Sequence, residues 1–326
     1  MKTERDELNL VKLAAQYSDN DKARELLESL RWPNGPVCPK CGSKDAYRLT
    51  AKPTSKSPVR PGVCKCKACR KQFTVTVGTI FESSHIKIST WLMAVFILCS
   101  SKKGVSALQL SRMLGVTYKT AWFMAHRIRF AMSEGPLAEM LKGVVEIDET
   151  YVGGKPRPAN YQKVGDVRKG RRTGDGAKVP VLALVQRDGN VRTKVVSNVT
   201  AKNLGQFIDK NIARNATIAT DNFVLYKNHF YDWKEARHEM VNHTRKEYAR
   251  FEKDGFVSHC NTAESFFSLI KRGVYGAFHH VSKEHLPRYC NEFAFRWNTR
   301  RLTDGERLEV AIEGIEGKRL TYRDVV

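Results

Sequence analysis

Acidic side chains are scarce in this 326-residue chain. Thirty-four Asp and Glu stand against 56 Lys and Arg, a formal net charge of +22. A surplus of that size repels itself unless a polyanion neutralises it. Nucleic acid is the partner it points to, since each phosphate neutralised releases counterions. An acidic lipid surface, or plain solubility, is the blander alternative. Long apolar runs are missing as well. The longest patch, WLMAVFILCS from Trp91 to Ser100, is about half of the ~20 residues that a membrane span needs, and reads as a buried helix. The N-terminus, MKTERDELNLVKL, carries charge where a secretory signal has an apolar core. These absences point to a cytoplasmic protein, associated with the nucleoid if its partner is DNA, with no membrane contact.

Cysteine is sparse except near the N-terminus. Of eight, Cys38 and Cys41 (CPKCGS) and Cys66 and Cys69 (CKACRK) form two C-x2-C pairs with 24 residues between them. Each spacing lets two thiolates on a tight knuckle reach one ion, and the interval has room for a short β-hairpin. Four thiolates around Zn²⁺ make a closed structural site. Free thiols or redox pairs are the alternative, but redox pairs usually come singly beside a helix. Cys64 is a fifth nearby thiol that can stand in for Cys66, although the spacing favours Cys66. Cys99, Cys260 and Cys290 lie far apart and read as small apolar residues. Residues 51–62, rich in Lys, Arg, Pro and Ser, read as a flexible loop within reach of phosphates. KQFTVTVGTIF reads as the strand that closes the ribbon.

After the apolar helix comes GVSALQLSRMLGVTYKTAWFMAHRIRFAM. Ser106 can cap a helix carrying Leu108, Leu110, Met113 and Leu114. Gly115 supplies the permissive backbone of a tight turn, and Thr117 can cap a second helix. Ala121, Met124, Ile128 and Ala131 share one face of that helix. Two short helices about a glycine-led turn form the helix-turn-helix pattern, with an ordinary helical hairpin as the alternative. Tyr118, Lys119, Thr120 and Arg127 would face the groove or the phosphates.

From Gly143 onward the periodicity changes to strands. GVVEIDETYVGGK is one, interrupted by Glu146, Asp148 and Glu149; VPVLALVQRDG and VRTKVVSNV follow, with Asp188-Gly189 as the hairpin signal. Strand alternation puts Glu146 and Asp148 on one face and Ile147 and Glu149 on the other, and Glu146, one pleat before Asp148, reads as a support behind the metal site or as the partner of a nearby Arg. A helix capped near Thr200 comes next, then a strand ending at Asp221, a further strand in KEARHEMV, and two helices from NTAESFF and SKEHLPRY. That order is the order of an RNase H-like α/β fold. In such a fold the first and fourth strands lie side by side under an acid-bearing helix, so Asp148, Asp221 and Glu264 would converge. Converging carboxylates need divalent cations, and Mg²⁺ or Mn²⁺ suits oxygen ligands. Singly, Asp148 reads as a turn acid, Asp221 as a helix cap, and Asn261 with Glu264 as a capping box. Lys155 to Lys178 is strongly basic and nearly devoid of apolar residues, and reads as a loop that orders on DNA or as a solvated linker. Lys271, Arg272, Arg288, Arg296 and Arg300 would give the last helices a basic face, with Phe293, Phe295 and Trp297 in the core. His243, His279 and His280 can orient phosphate or water, though single histidines are more often structural.

The stretches CPKCGS, CKACRKQFTVTVGTIF, VEIDETYVGGK, ATDNFVLY and HCNTAESFFSLIKRGVYGAFHHVSKEHLPRYCNEFAFRWNTR resemble bacterial insertion-sequence transposases that join an N-terminal zinc ribbon to a DDE-type domain, relatives of the Merlin elements. The resemblance spans roughly residues 30 to 301. It implies metal ligands at Asp148, Asp221 and Glu264, with Asn261 as a possible replacement for Glu264, and a DNA-holding Lys271 two turns along the same helix. It implies Mg²⁺ or Mn²⁺ for catalysis, structural Zn²⁺, double-stranded DNA at element ends and target, and a homo-oligomer on that DNA. A DNA-binding regulator with a degenerate catalytic domain and a structure-specific nuclease of the same fold are the alternatives. The expected layout is a helical segment over 1–30, a zinc ribbon over 31–82, a helix-turn-helix region over 83–135, an RNase H-like DDE domain over 140–305 and a C-terminal tail over 306–326.

Overall fold

The computed structural model describes residues 8–50, 59–133, 139–153, 178–233 and 236–325. The basic segment from Lys155 to Lys178 lies outside them except for Lys178, as does residues 51–58 of the loop between the cysteine pairs. The chain forms two compact units, residues 1–134 with 301–326, and residues 135–300.

In the first unit, α1 (Leu10–Tyr17) and α2 (Asn20–Arg31) are each started by an acceptor side chain. Asn9 Oδ1 accepts the N–H of Lys12, and Asp19 Oδ1 accepts those of Asp21 and Lys22. Strands β1 (Ala46–Arg48), β2 (Cys64–Cys66) and β3 (Gln72–Phe73) form an antiparallel ribbon in that order. The closing strand is shorter than the alternation of KQFTVTVGTIF suggests. Beyond Phe73 the chain turns, because Thr79 Oγ1 donates to the Thr76 carbonyl and the Gly78 N–H to Glu82. Helix α3 (Ile88–Ser100) is the apolar patch, and Trp91, Leu92, Val95 and Leu98 are buried.

Helices α4 (Ala107–Leu114) and α5 (Tyr118–Ala131) make the helix-turn-helix. Ser106 and Thr117 cap them, and Gly115 holds φ +65°, which favours glycine. Ala121, Met124, Ile128 and Ala131 are buried as expected, whereas Leu108 and Met113 are exposed. Arg127 also differs from expectation. It lies three residues after Met124 and four before Ala131, on the buried face, where its guanidinium donates to the Leu320 and Glu82 carbonyls. It therefore does not face a groove or a phosphate. Nor is the C-terminal stretch a tail. Thr303 and Glu306 form a capping box that starts a helix over Asp304–Glu313, which buries Leu308, Ala311 and Ile312 in the first unit.

The second unit is built on five strands: β4 (Val144–Val152), β5 (Val179–Gln186), β6 (Val191–Val195), β7 (Thr217–Asp221) and β8 (His238–Val241). Their order is β6-β5-β4-β7-β8. The first three are antiparallel, while β7 and β8 join parallel to β4. Asp188, at φ +56°, makes the turn between β5 and β6. Helices α6 (Ala201–Asn211) and α7 (Val224–Phe230) cover one face with Ile147, Leu182, Leu184 and Ile218. A small hairpin, β9 (Arg250–Phe251) with β10 (Val257–Ser258), leads into α8 (Asn261–Gly273), which continues as a π-helical turn, and α9 (Leu286–Asn298) follows. These two helices cover the other face with Val181, Ala183 and Val185. Phe266, Phe267 and Ile270 anchor α8 there, each burial stabilising by roughly 1.5–3 kcal/mol. Strand order, crossover and helices on both faces make this an RNase H-like α/β unit.

Candidate active site

Asp148 and Asp221 are brought together by register. In the parallel β4–β7 ladder Ile147 pairs with Thr220, and the two acids follow directly on adjacent strands. Alternation directs Ile147 into the α6–α7 face, while Glu149 accepts a hydrogen bond from the buried Tyr226 hydroxyl at 2.7 Å on that same side. Asp148 faces the α8 side. Its Oδ1 accepts the Glu149 N–H at 2.7 Å. Burial first, and then the charges of Glu149, Asp221 and Glu264, push its carboxyl up to about 8 against the lowering effect of that amide. Glu264 thus lies within the electrostatic reach of Asp148, although it is exposed, on the opposite helix face from the buried Phe266.

Helix α8 displays Asn261, Glu264, Ser268 and Lys271 along its exposed side, at intervals of three and four residues. The capping-box alternative for Asn261 and Glu264 does not occur. Cys260 is the cap residue, no side chain of the helix itself caps it, and Asn261 is the first helical residue. Of the expected basic face, Lys271 and Arg272 are exposed. Arg296 is instead buried against Glu292, and Arg300 donates to the Gly189 carbonyl at 2.9 Å. These two arginines are taken up by the fold because their positions put them beside Phe293 and Trp297. His279 and His280 are exposed beyond the π-helical turn, and His243 packs on Tyr248.

An oxygen-rich set with an abnormally proton-retaining Asp148 fits a hard divalent cation, which would lower that carboxyl again. The acids share an electrostatic field rather than close contact. Among the described residues, the four cysteines are the one group of three or more metal-binding side chains whose ligand atoms all lie within 4.8 Å. Cys38 Sγ is 3.6 Å from Cys69 Sγ, and Cys41 Sγ is 3.7 Å from Cys66 Sγ. A tetrahedron with Zn–S bonds of ~2.3 Å has edges of ~3.8 Å, so the sulfurs fit Zn²⁺. The Cys69 N–H points at Cys66 Sγ at 3.5 Å and is the main reason that thiol is drawn down to about 7. Cys64 stays outside the group. It is buried, and burial raises its thiol, which favours the protonated form.

Tyr226 and the helix that carries it were not foreseen, although ATDNFVLY contains Tyr226 and the start of that helix. The arginine partner expected for Glu146 is Arg187, whereas the two helix amides it accepts, 116 and 117 residues downstream, were not foreseen.

Residues 140–298 match the ISXO2-like transposase domain, and residues 18–72 match the transposase zinc-ribbon domain. A relative from Halobacterium salinarum, described as an uncharacterized protein in transposable element ISH50, is 30% identical over 297 residues. That match covers 90% of this chain and 95% of the relative. The crystal structure of the Mos1 strand transfer complex aligns with 66% of this chain and 78% of its own at 12% identity and a TM-score of 0.23, a likeness too slight to carry an argument.

Proposed function

The chain belongs to the ISXO2-like transposase family, and from that premise we propose that its RNase H-like unit cuts and joins DNA at the ends of a mobile element. The observation that carries this reading is the register of Asp148 beside Asp221, with the charge of Glu264 acting on Asp148. Asp148, Asp221 and Glu264 would hold Mg²⁺ or Mn²⁺, and Asn261, one turn earlier on α8, is the alternative third ligand. Two bound ions would supply activation of the attacking oxygen and stabilisation of the leaving one. Lys271, two turns beyond Glu264, holds a DNA strand by its charge. Tyr226 fixes the Glu149 carboxylate on the far face of β4, so Glu149 does not compete for the ions.

The reaction begins with hydrolysis of a phosphodiester at the element end, which frees a 3′-OH. That hydroxyl then attacks target DNA in the same site. The zinc ribbon and the helix-turn-helix recognise the terminal inverted repeats, with the exposed Tyr118 and Lys119 at the start of α5 as contacts. Holding two ends together calls for a homo-oligomer on DNA.

The test is cleavage of duplex carrying the element's terminal repeat, with Mg²⁺, by wild type and Asp148→Ala. Wild type is expected to cut and to join the cut end to a plasmid, while Asp148→Ala binds the duplex without cutting. If both bind and neither cuts, the chain is a DNA-binding regulator. Cutting without strand transfer makes it a nuclease of this fold.

A further inference from the structure

Glu146 is fully buried two residues before Asp148 on the same face of β4. Its Oε2 accepts the N–H of Thr262 at 2.8 Å and that of Ala263 at 3.0 Å. Its Oε1 accepts the Thr262 hydroxyl at 2.9 Å and Arg187 Nε at 2.7 Å, and the His259 ring stands 3.1 Å from the same oxygen. The two amides belong to the first turn of α8, where N–H groups have no partner within the helix. Since α8 has no capping side chain of its own, Glu146 caps it from the neighbouring strand. Its negative charge also lies at the positive end of the helix dipole. Arg187 extends the seam. Its Nη1 donates to the Val257 carbonyl at 2.8 Å and its Nη2 to the His259 carbonyl at 3.0 Å. One ion pair, with its carboxylate buried and its guanidinium half-buried, therefore fastens the chain from Val257 to Ala263 onto the sheet.

We infer that Glu146 and Arg187 are a positioning pair that sets the first turn of α8 in register with β4, and so sets where Glu264 stands relative to Asp148, a role that rests on reading those two acids as metal ligands. Glu146 is not itself a ligand. Each of its oxygens already accepts two hydrogen bonds, so turning toward an ion would release the helix. Removing the pair leaves Asp148 and Glu264 in place chemically but loosens the distance between them. Residues that orient metal ligands typically change metal affinity or activity by about 10–100-fold when altered.

The experiment uses the full-length, zinc-loaded protein and follows Mn²⁺ binding by electron paramagnetic resonance of the free ion, well below the melting temperature. Wild type, Glu146→Gln, Thr262→Val and Asp148→Asn are compared. Gln keeps one acceptor oxygen for the helix amides but presents an NH₂ group to Arg187 and the Thr262 hydroxyl. Glu146→Gln is expected to bind Mn²⁺ about tenfold or more weakly, with unchanged zinc content, and to recover part of its DNA cleavage at raised Mn²⁺. A purely structural role would lower the melting temperature and leave Mn²⁺ affinity alone, so affinity within twofold of wild type in folded Glu146→Gln overturns the inference. If Glu146→Gln does not fold, Thr262→Val decides, since it removes one bond. A several-fold loss of affinity supports the pair, and none contradicts it. A wild type that binds no more Mn²⁺ than Asp148→Asn overturns the metal reading itself, and this inference with it.

Discussion

Asp148 carries an electrostatic load that the fold has to bear when no cation is bound. Its carboxyl titrates at about 8 in the folded protein against 3.8 for a free side chain. Between those values the folded chain keeps a proton that the unfolded chain has lost, so stability falls as pH rises from about 4 to about 8. Asp148→Asn removes the charge and keeps the shape. Without added divalent ions, the zinc-loaded variant is expected to melt above wild type at pH 9 and by a much smaller margin at pH 5. Calorimetric scans at the two pH values check this, and an equal difference at both contradicts the burial of that charge. Single residues were legible in the sequence where their role is local. Ser106, Thr117 and Thr200 cap the helices they precede. Arg127 was not, because the carbonyls that satisfy it come from distant segments, nor was Arg296, whose partner Glu292 is one turn away, because composition counts every charge as surface; Glu146 was legible only as the partner of an arginine.

Among the elements, the ribbon turns on which of two neighbouring thiols faces the ion. Cys64 and Cys66 share β2 and both are buried, yet only Cys66 joins Cys38, Cys41 and Cys69. Cys66→Ser is expected to lose the zinc and the order of the ribbon, since such sites contribute folding energy outright. Cys64→Ser is expected to keep one zinc per chain. Metal analysis of the two purified variants checks this, and zinc loss from Cys64→Ser alone would reverse the assignment. Strands β4 to β8 could be read from their alternation and apolar runs. Helix α7 and the Asp304–Glu313 helix could not. The first is only seven residues long, and the second packs against α2 and α3, far earlier in the sequence. The capping-box alternative for Asn261 and Glu264 failed for a similar reason. A capping box is a local pattern, whereas the cap used here comes from β4.

For the whole chain, the surplus of 22 positive charges sets how DNA is held. Affinity for duplex is expected to fall with the logarithm of salt concentration, and Lys271→Ala to reduce that slope by about one, as removal of one phosphate contact does. Fluorescence anisotropy across a salt series checks it, and an unchanged slope removes Lys271 from the DNA contacts. The two-unit organisation was only partly visible in the sequence, because the first unit is closed by residues 301–326 after the second is complete. The acids on β4, β7 and α8 are proposed to share divalent ions. The most direct measurement is the anomalous scattering of Mn²⁺ in crystals of the protein with element-end DNA. Mn²⁺ is expected between Asp148 and Asp221, with Glu264 or Asn261 completing the site. Mn²⁺ bound to the DNA but absent from Asp148 would contradict it.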